Sequence, residues 1–329
     1  MGLLILFGVA LIVISVVGTG MVVHGLRRPN RRTYAWALAN GQPTDPSHIG
    51  RRFTEEQITF PDGQTTYLWL IDGDDASGPL VIMNHGWANS RYGAISTVPL
   101  VTPYVSRIAL FDVRAHGDSS AKQCWLGVRE VPDLAHVINH LHDTGLDGNG
   151  LVLYGASMGA GFCIDVTSRA TDDPNLLRSQ VRGVIADGAY RFPMQPVGQY
   201  LRMHHVPPQP FAFLAGVYLW VRLKWLSGDL RPFDRVKLVA KVRCPVLVVH
   251  GSHDRICPIL TARQIAEAAP RGRYAEFHGG DHDRKHHTHV EHYHEVFGEF
   301  FAQFKNSVPL QSPPLPSANP PNPATTVPT

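Results

Sequence analysis

Leu151-Val152-Leu153-Tyr154-Gly155-Ala156-Ser157-Met158-Gly159-Ala160-Gly161 decides the fold. Four apolar residues of strand character run into G-x-S-x-G, and a small-residue helix opens directly behind. A serine in this setting sits on a sharp strand-to-helix turn, and the glycines relieve the crowding that such a turn creates. The backbone N–H of Met158 then points, with the helix N-terminus, at any anion forming beside the hydroxyl. Ser157 is the candidate nucleophile. The competing reading is an ordinary turn serine, and the strand and helix flanking it argue against that.

Outward from this motif, short apolar runs alternate with helical patterns. Leu80–Met83, Ile108–Phe111, Leu151–Tyr154, Val184–Ala186 and Val246–Val249 read as strands buried on both faces. Val131, Leu134, Val137, Ile138 and Leu141 recur at helical spacing within Val128–His142, and Thr261–Ala269 and His289–Phe304 read likewise. The pattern predicts an α/β domain with a mostly parallel central sheet and helices on both faces. Its ligand is expected beyond the carboxyl ends of the strands.

Residues 192–230 interrupt the alternation with Pro207, Pro208 and Pro210 and an aromatic run through Trp220 and Trp225. Leaving from the ligand-binding edge, this insertion is expected to be a small helical cap. Phe211, Phe213, Leu214, Val217, Tyr218 and Trp220 are expected to overhang Ser157 and line an acyl pocket or touch lipid, the alternative being that they pack as core.

A serine needs a base, and the base needs an orienting carboxylate; on such a sheet the order along the chain is serine, acid, histidine. Asp254 lies just past the strand Val246–Val249 in His250-Gly251-Ser252-His253-Asp254, where such an acid belongs. Asp187, after Val184–Ala186, is its rival. Downstream stands Phe277-His278-Gly279-Gly280-Asp281-His282-Asp283. With these motifs in this order, the chain from about Thr65 to Phe304 resembles the α/β-hydrolase superfamily, in its serine-esterase, lysophospholipase and acylglycerol-lipase branch. The resemblance implies the α/β-hydrolase fold and maps the superfamily's G-x-x-H onto Gly279–His282, making His282 the general base. It maps the oxyanion motif onto Asn84-His85-Gly86-Trp87, so that the N–H groups of Trp87 and Met158 hold the oxyanion while His85 orients the loop. D-x-R-G-H-G-x-S is met by Asp112–Ser119, with Ala115 where glycine is common.

The reaction implied is hydrolysis of a carboxylic ester through an acyl-enzyme on a Ser157–His282–Asp254 triad, with no cofactor and no metal. Thioester and peptide hydrolysis share that triad. A serine at the nucleophile position argues against dehalogenase and epoxide-hydrolase chemistry. Two other classes stand beside it. Seven of the 18 histidines fall between His278 and His294, and His282 and His286 are spaced i, i+4, so a metal site is conceivable; no H-E-x-x-H is present. A non-catalytic binding protein on the same fold usually lacks a triad member, and here none is lost.

The ends of the chain differ from its body. Gly2–Val23 is an apolar run without a preceding Lys or Arg, long enough to cross a bilayer. A cleaved signal peptide usually carries a charged start, so residues 1–32 are read as a transmembrane anchor with a basic flank. Arg27, Arg28, Arg31 and Arg32 place that flank, and the hydrolase domain of residues 33–305, on the cytoplasmic face. Residues 306–329 hold eight prolines and no charge and read as a disordered tail. Lys and Arg number 30 against 27 Asp and Glu, a balance that argues against a nucleic-acid partner. The expected partner is a small-molecule ester, lipids included. Cys124, Cys163, Cys244 and Cys257 stand far apart, without C-x-x-C spacing, and are read as reduced thiols.

Overall fold

Eight strands form a single sheet in the order β1-β2-β4-β3-β5-β6-β7-β8 in the computed structural model, which describes residues 1–227, 233–283 and 285–304. They are β1 (Phe53–Thr59), β2 (Thr65–Asp72), β3 (Leu80–Asn84), β4 (Arg107–Phe111), β5 (Leu151–Ala156), β6 (Val181–Asp187), β7 (Val246–Gly251) and β8 (Gly272–Phe277). The pairs β1/β2 and β2/β4 are antiparallel, and every other pair is parallel. Each of the five predicted strands lies within an observed one.

The helices longer than a single turn are α1 (Gly2–Arg27), α2 (Tyr34–Ala39), α3 (Glu130–Asp143), α4 (Met158–Asp172), α5 (Met194–Met203), α6 (Phe211–Ser227), α7 (Arg235–Val239), α8 (Ile259–Ala268) and α9 (Val290–Ala302). The central strands are apolar throughout because both faces are covered. Along β3, Leu80 and Ile82 join one core with Leu134 of α3, Phe162 of α4 and Ile265 of α8. Val81 and Met83 join the other, with Phe297, Phe300 and Phe301 of α9. This is the period-two alternation of a strand, with a hydrophobic layer on either side. Each of these phenylalanines contributes about 1.5–3 kcal/mol by leaving water.

Because β3, β5, β6 and β7 run parallel, Asn84, Ala156, Asp187 and Gly251 all end at one edge of the sheet. The insertion after β6 lies partly over that edge. Its first helix, α5, contributes Pro196, Val197 and Tyr200 to the pocket that contains Ser157. Its second helix departs from expectation. Of the predicted acyl wall, Phe211 packs against Gly18 of α1, and Leu214 and Tyr218 line a groove that they share with α1. The aromatic run pairs with another apolar helix of the chain instead of folding over the serine. The Pro-rich tail and the last residues of the insertion lie outside the described residues.

The basic flank is bonded into the body. The Arg27 carbonyl accepts from the Cys124 N–H at 2.8 Å, and the Arg27 guanidinium bonds Gln123 and lies 4.0 Å over the Trp125 ring. Arg31 donates to the carbonyls of Gly117, at 2.9 Å, and Ser119.

Candidate active site

Ser157 stands between β5 and α4 with φ 52° and ψ −110°. A side-chain-bearing residue held at positive φ costs about 1–3 kcal/mol, which the surroundings must offset. Here the turn is pinned by its own N–H, donating to the Asp187 carbonyl at 2.7 Å. Two glycines make it sterically possible. A methyl group on Gly155 would lie 2.4 Å from the backbone of Gly159 and Ala160, and one on Gly159 would lie 2.2 Å from the Asn84 carbonyl oxygen. G-x-S-x-G is thus a packing requirement between β3, β5 and α4.

Two hydrogen bonds connect three of the predicted residues. His282 Nε2 is 3.0 Å from Ser157 Oγ, and His282 Nδ1 is 2.7 Å from Asp254 Oδ2. The loop after β7 presents Asp254, whose other oxygen accepts from the N–H groups of Ile256 and Cys257 at 2.9 and 2.7 Å. His250, buried at the end of β7, lies 3.3 Å from the same carboxylate and bonds the Cys257 carbonyl. Burial pushes the Asp254 pKa up, but the His282 hydrogen bond and charge, His250 and the Cys257 N–H outweigh it, and the carboxyl sits below its ordinary value. Burial likewise works against the imidazolium of His282, but the hydrogen bond and charge of Asp254 more than reverse it, so that its pKa is raised. Burial holds Cys257 itself as a neutral thiol at neutral pH, which leaves Asp254 as the charge that supports the imidazolium.

The rival acid, Asp187, is occupied elsewhere. Its carboxylate accepts from the Tyr154 and Tyr293 hydroxyls at 3.0 and 2.8 Å and pairs with Lys285 at 2.7 Å, both members being buried. Lys285 also donates to the His282 carbonyl at 2.9 Å. Nothing in the sequence marks this pair: Asp187 reads as a rival acid past a strand end, and Lys285 alone reads as an ordinary surface charge.

Trp87 follows Gly86, where an added methyl group would come within 3.3 Å of Ser157 Cβ. Met158 is the first residue of α4. Of the two residues that the sequence proposes as oxyanion donors, Met158 thus follows the serine in the chain and Trp87 follows the glycine packed against it. The Trp87 indole turns outward and donates to the Leu26 carbonyl at 3.2 Å. His85 is fully buried, with Nδ1 2.8 Å from the Gly86 carbonyl and Nε2 accepting from the Val113 N–H at 3.0 Å. Burial lowers its pKa to about 4, so it serves this loop as a neutral tie. Asp112 cradles the neighbouring loop, accepting from the N–H groups of Arg91 and Asp118, both at 2.9 Å. Ala115 takes φ +66°, the left-handed conformation that explains why glycine is common at this position.

The histidine cluster disperses. His282 faces Ser157, His286 faces Ser96 Oγ at 3.1 Å, His289 bonds the His278 carbonyl, and His292 pairs with Glu295. Among the described residues, the group of three with ligand atoms within 4.8 Å of one another is Asp254, Cys257 and His282. The first and last already spend those atoms on the hydrogen bonds above. All four cysteines are unpaired.

The pocket in front of Ser157 has a volume of about 700 Å³. Met83, Leu126, Tyr190, Val197, Tyr200 and Ile256 give it apolar walls, with His282 and Ser157 on its floor.

Comparisons with known proteins agree with this fold. Residues 79–238 match the family described as the alpha/beta hydrolase fold. The lysophosphatidylserine lipase ABHD12 of Rattus norvegicus is 22% identical over 245 residues, which is 72% of this chain and 57% of that protein. The chain thus spans little more than half the length of these relatives. An uncharacterized protein of Mycobacterium tuberculosis is 23% identical over 288 residues, covering 82% of this chain and 86% of its own. Among solved structures, an esterase of Pyrococcus furiosus superposes with a TM-score of 0.63 at 20% identity, covering 84% of this chain and 98% of that one.

Proposed function

The chain belongs to the α/β-hydrolase superfamily, and from that premise we propose that it is a membrane-anchored serine hydrolase that cleaves carboxylic esters. The observation that carries this reading is the unbroken chain Ser157 Oγ, His282 Nε2, His282 Nδ1, Asp254 Oδ2, with links of 3.0 and 2.7 Å. Ser157 attacks the ester carbonyl carbon while His282 takes its proton. The tetrahedral oxyanion forms against the N–H groups of Trp87 and Met158, each such donor being worth about 3–4 kcal/mol. As the intermediate collapses, the carbon–oxygen bond to the leaving group breaks and His282 returns the proton to the departing alcohol. Water, deprotonated by His282, then attacks the acyl-enzyme and releases the acid. Asp254 holds the imidazole in the required tautomer and stabilises the imidazolium through both halves of the cycle.

The apolar pocket supports an ester with a hydrocarbon acyl chain as substrate, and the named activity of the lysophosphatidylserine lipase relative supports a lipid ester in particular. The 26-residue apolar helix α1, none of whose hydrophobic window is buried, supports retention at a membrane, with Arg27, Arg28, Arg31 and Arg32 on the cytoplasmic face.

A panel of p-nitrophenyl esters of increasing acyl length, run beside a thioester and a peptide anilide, tests the substrate class. Turnover that rises from acetyl to medium chains is the expected result. Preference for the thioester or the anilide would reassign the same triad to thioester or peptide hydrolysis.

A further inference from the structure

We infer that α6 is a second membrane-inserted segment, laid against α1, and that the partner of its exposed face is a phospholipid bilayer. The inference goes beyond the hydrolase reading and rests only on its clause that α1 is retained at the membrane.

The sequence of α6 carries no charge from Phe211 to Val221. Ala212, Ala215 and Leu219 form its buried stripe, one narrow line at helical spacing. The remainder faces outward: Phe213 is 60% exposed, Trp220 and Val221 are each 52%, and Val217 and Tyr218 are nearly as open. A helix of a water-soluble domain buries its apolar face and shows charge on the other, whereas from Phe211 to Val221 this one is apolar on both.

What lies beside α6 selects the partner. Gly18 of α1 lies so close to the Phe211 ring that an added methyl group would come within 2.4 Å of it. A small residue at such a crossing lets two helices approach, as they do in lipid, where van der Waals contact drives association. The exposed face of α6 is therefore continuous with the apolar surface of α1, whose mean hydropathy is 2.6 and of whose hydrophobic window nothing is buried. Depth agrees with this. About 14 Å of helix separates Gly18 from Arg27, half of the ~30 Å hydrocarbon core. The uncharged stretch of α6, Phe211–Val221, is about 16 Å long, too short to cross that core and matched to one leaflet. Between the two helices runs a groove of about 570 Å³, walled by Val16, Val23, Leu214 and Tyr218, with His24 and Arg28 at its body end. Apolar walls that finish at the Arg28 guanidinium match a phospholipid, acyl chain first and headgroup last.

The test is photolabelling of the full chain reconstituted into phosphatidylcholine–phosphatidylglycerol vesicles that contain a diazirine-bearing phosphatidylcholine, with adducts mapped by peptide mass spectrometry. The expected result is adducts on residues 2–23 and, at comparable yield, on residues 211–221, well above the yield on the exposed loop around Asp173. Adducts on α1 with background yield on 211–221 overturn the inference and leave the anchor standing. Background yield on both removes the anchor reading as well. In a parallel run with a bifunctional cross-linker, links between the α6 helices of two chains in place of lipid adducts would assign this face to a second copy and also overturn it.

Discussion

The carboxyl edge of the sheet and the α1–α6 pair are built on opposite rules. At the edge, Asp254, Asp187 and His85 are buried polar groups, and each is tied to partners from distant parts of the chain. Burial there raises the cost of any unpaired polar atom, so position is fixed by hydrogen bonds. Along α1 and α6 the exposed surface is apolar, and the helices meet through Gly18 and an aromatic ring. The difference teaches where precision resides: in the satisfied network for the chemistry, and in shape and apolarity alone for the membrane side. Substitutions at the edge should therefore be severe and specific, and those on the exposed face of α6 mild in detergent.

The largest effects belong to the triad. Ser157→Ala and His282→Ala are each expected to lower kcat by ~10⁴-fold or more, and Asp254→Asn by ~10⁴-fold, with the fold intact by circular dichroism. Full activity in Asp254→Asn would move the orienting acid elsewhere.

Next comes the buried pair under the histidine loop. Lys285→Met leaves the Asp187 carboxylate uncompensated and is expected to destabilise by about 3–5 kcal/mol, read as a fall in Tm. Asp187→Asn added to it should recover part of the loss. An unchanged Tm in the single variant would show that the carboxylate is satisfied by Tyr154 and Tyr293 alone.

Arg31 stands at the seam between the two regions. Its bonds to the Gly117 and Ser119 carbonyls make Arg31→Ala worth about 1–3 kcal/mol, although the residue belongs by sequence to the flank of the anchor. A Tm equal to that of the parent would return the flank to the role of a spacer.

The smallest effects separate the two helices of the insertion. Val197→Ala, in the pocket wall on α5, should flatten the rise of kcat/KM with acyl length, since each buried CH₂ is worth ~0.8 kcal/mol. Phe213→Ala, on the exposed face of α6, should leave both the profile and the Tm of detergent-solubilised protein unchanged. The reverse outcome would restore the aromatic run to the acyl pocket.

These contrasts also explain what the sequence made legible. The central strands were readable because burial on both faces writes an unbroken apolar run, as in Leu80–Asn84. Strands β1, β2 and β8 escaped notice; in the edge strands β1 and β8, exposed Thr54, Glu55 and Arg273 break that run. Ser157 could be proposed because G-x-S-x-G between a strand and a helix has a backbone geometry of its own, Asp254 because it lies past a strand end, and His282 through the resemblance of Gly279–His282 to the superfamily's G-x-x-H. The Lys285–Asp187 pair was not readable, since its members lie in separate elements and the place of Asp187 past a strand end reads as that of a rival acid. Nor was the seat of α6 on α1: composition shows that both helices are apolar, but their sequence separation conceals that they touch.

Fluorophosphonate labelling, followed across pH and mapped to its residue, tests the central claim most directly. The base is neutral His282, whose pKa is raised by the Asp254 carboxylate beside it. Labelling is therefore expected to be fast above that pKa and to fall as pH drops through it. Its acid limb should lie higher than an ordinary histidine gives, and should move down in Asp254→Asn as the carboxylate supporting the imidazolium is lost. The expected result is a single adduct on Ser157 with that limb, absent in Ser157→Ala. Labelling that survives Ser157→Ala, or an acid limb that Asp254→Asn does not move, would contradict the account.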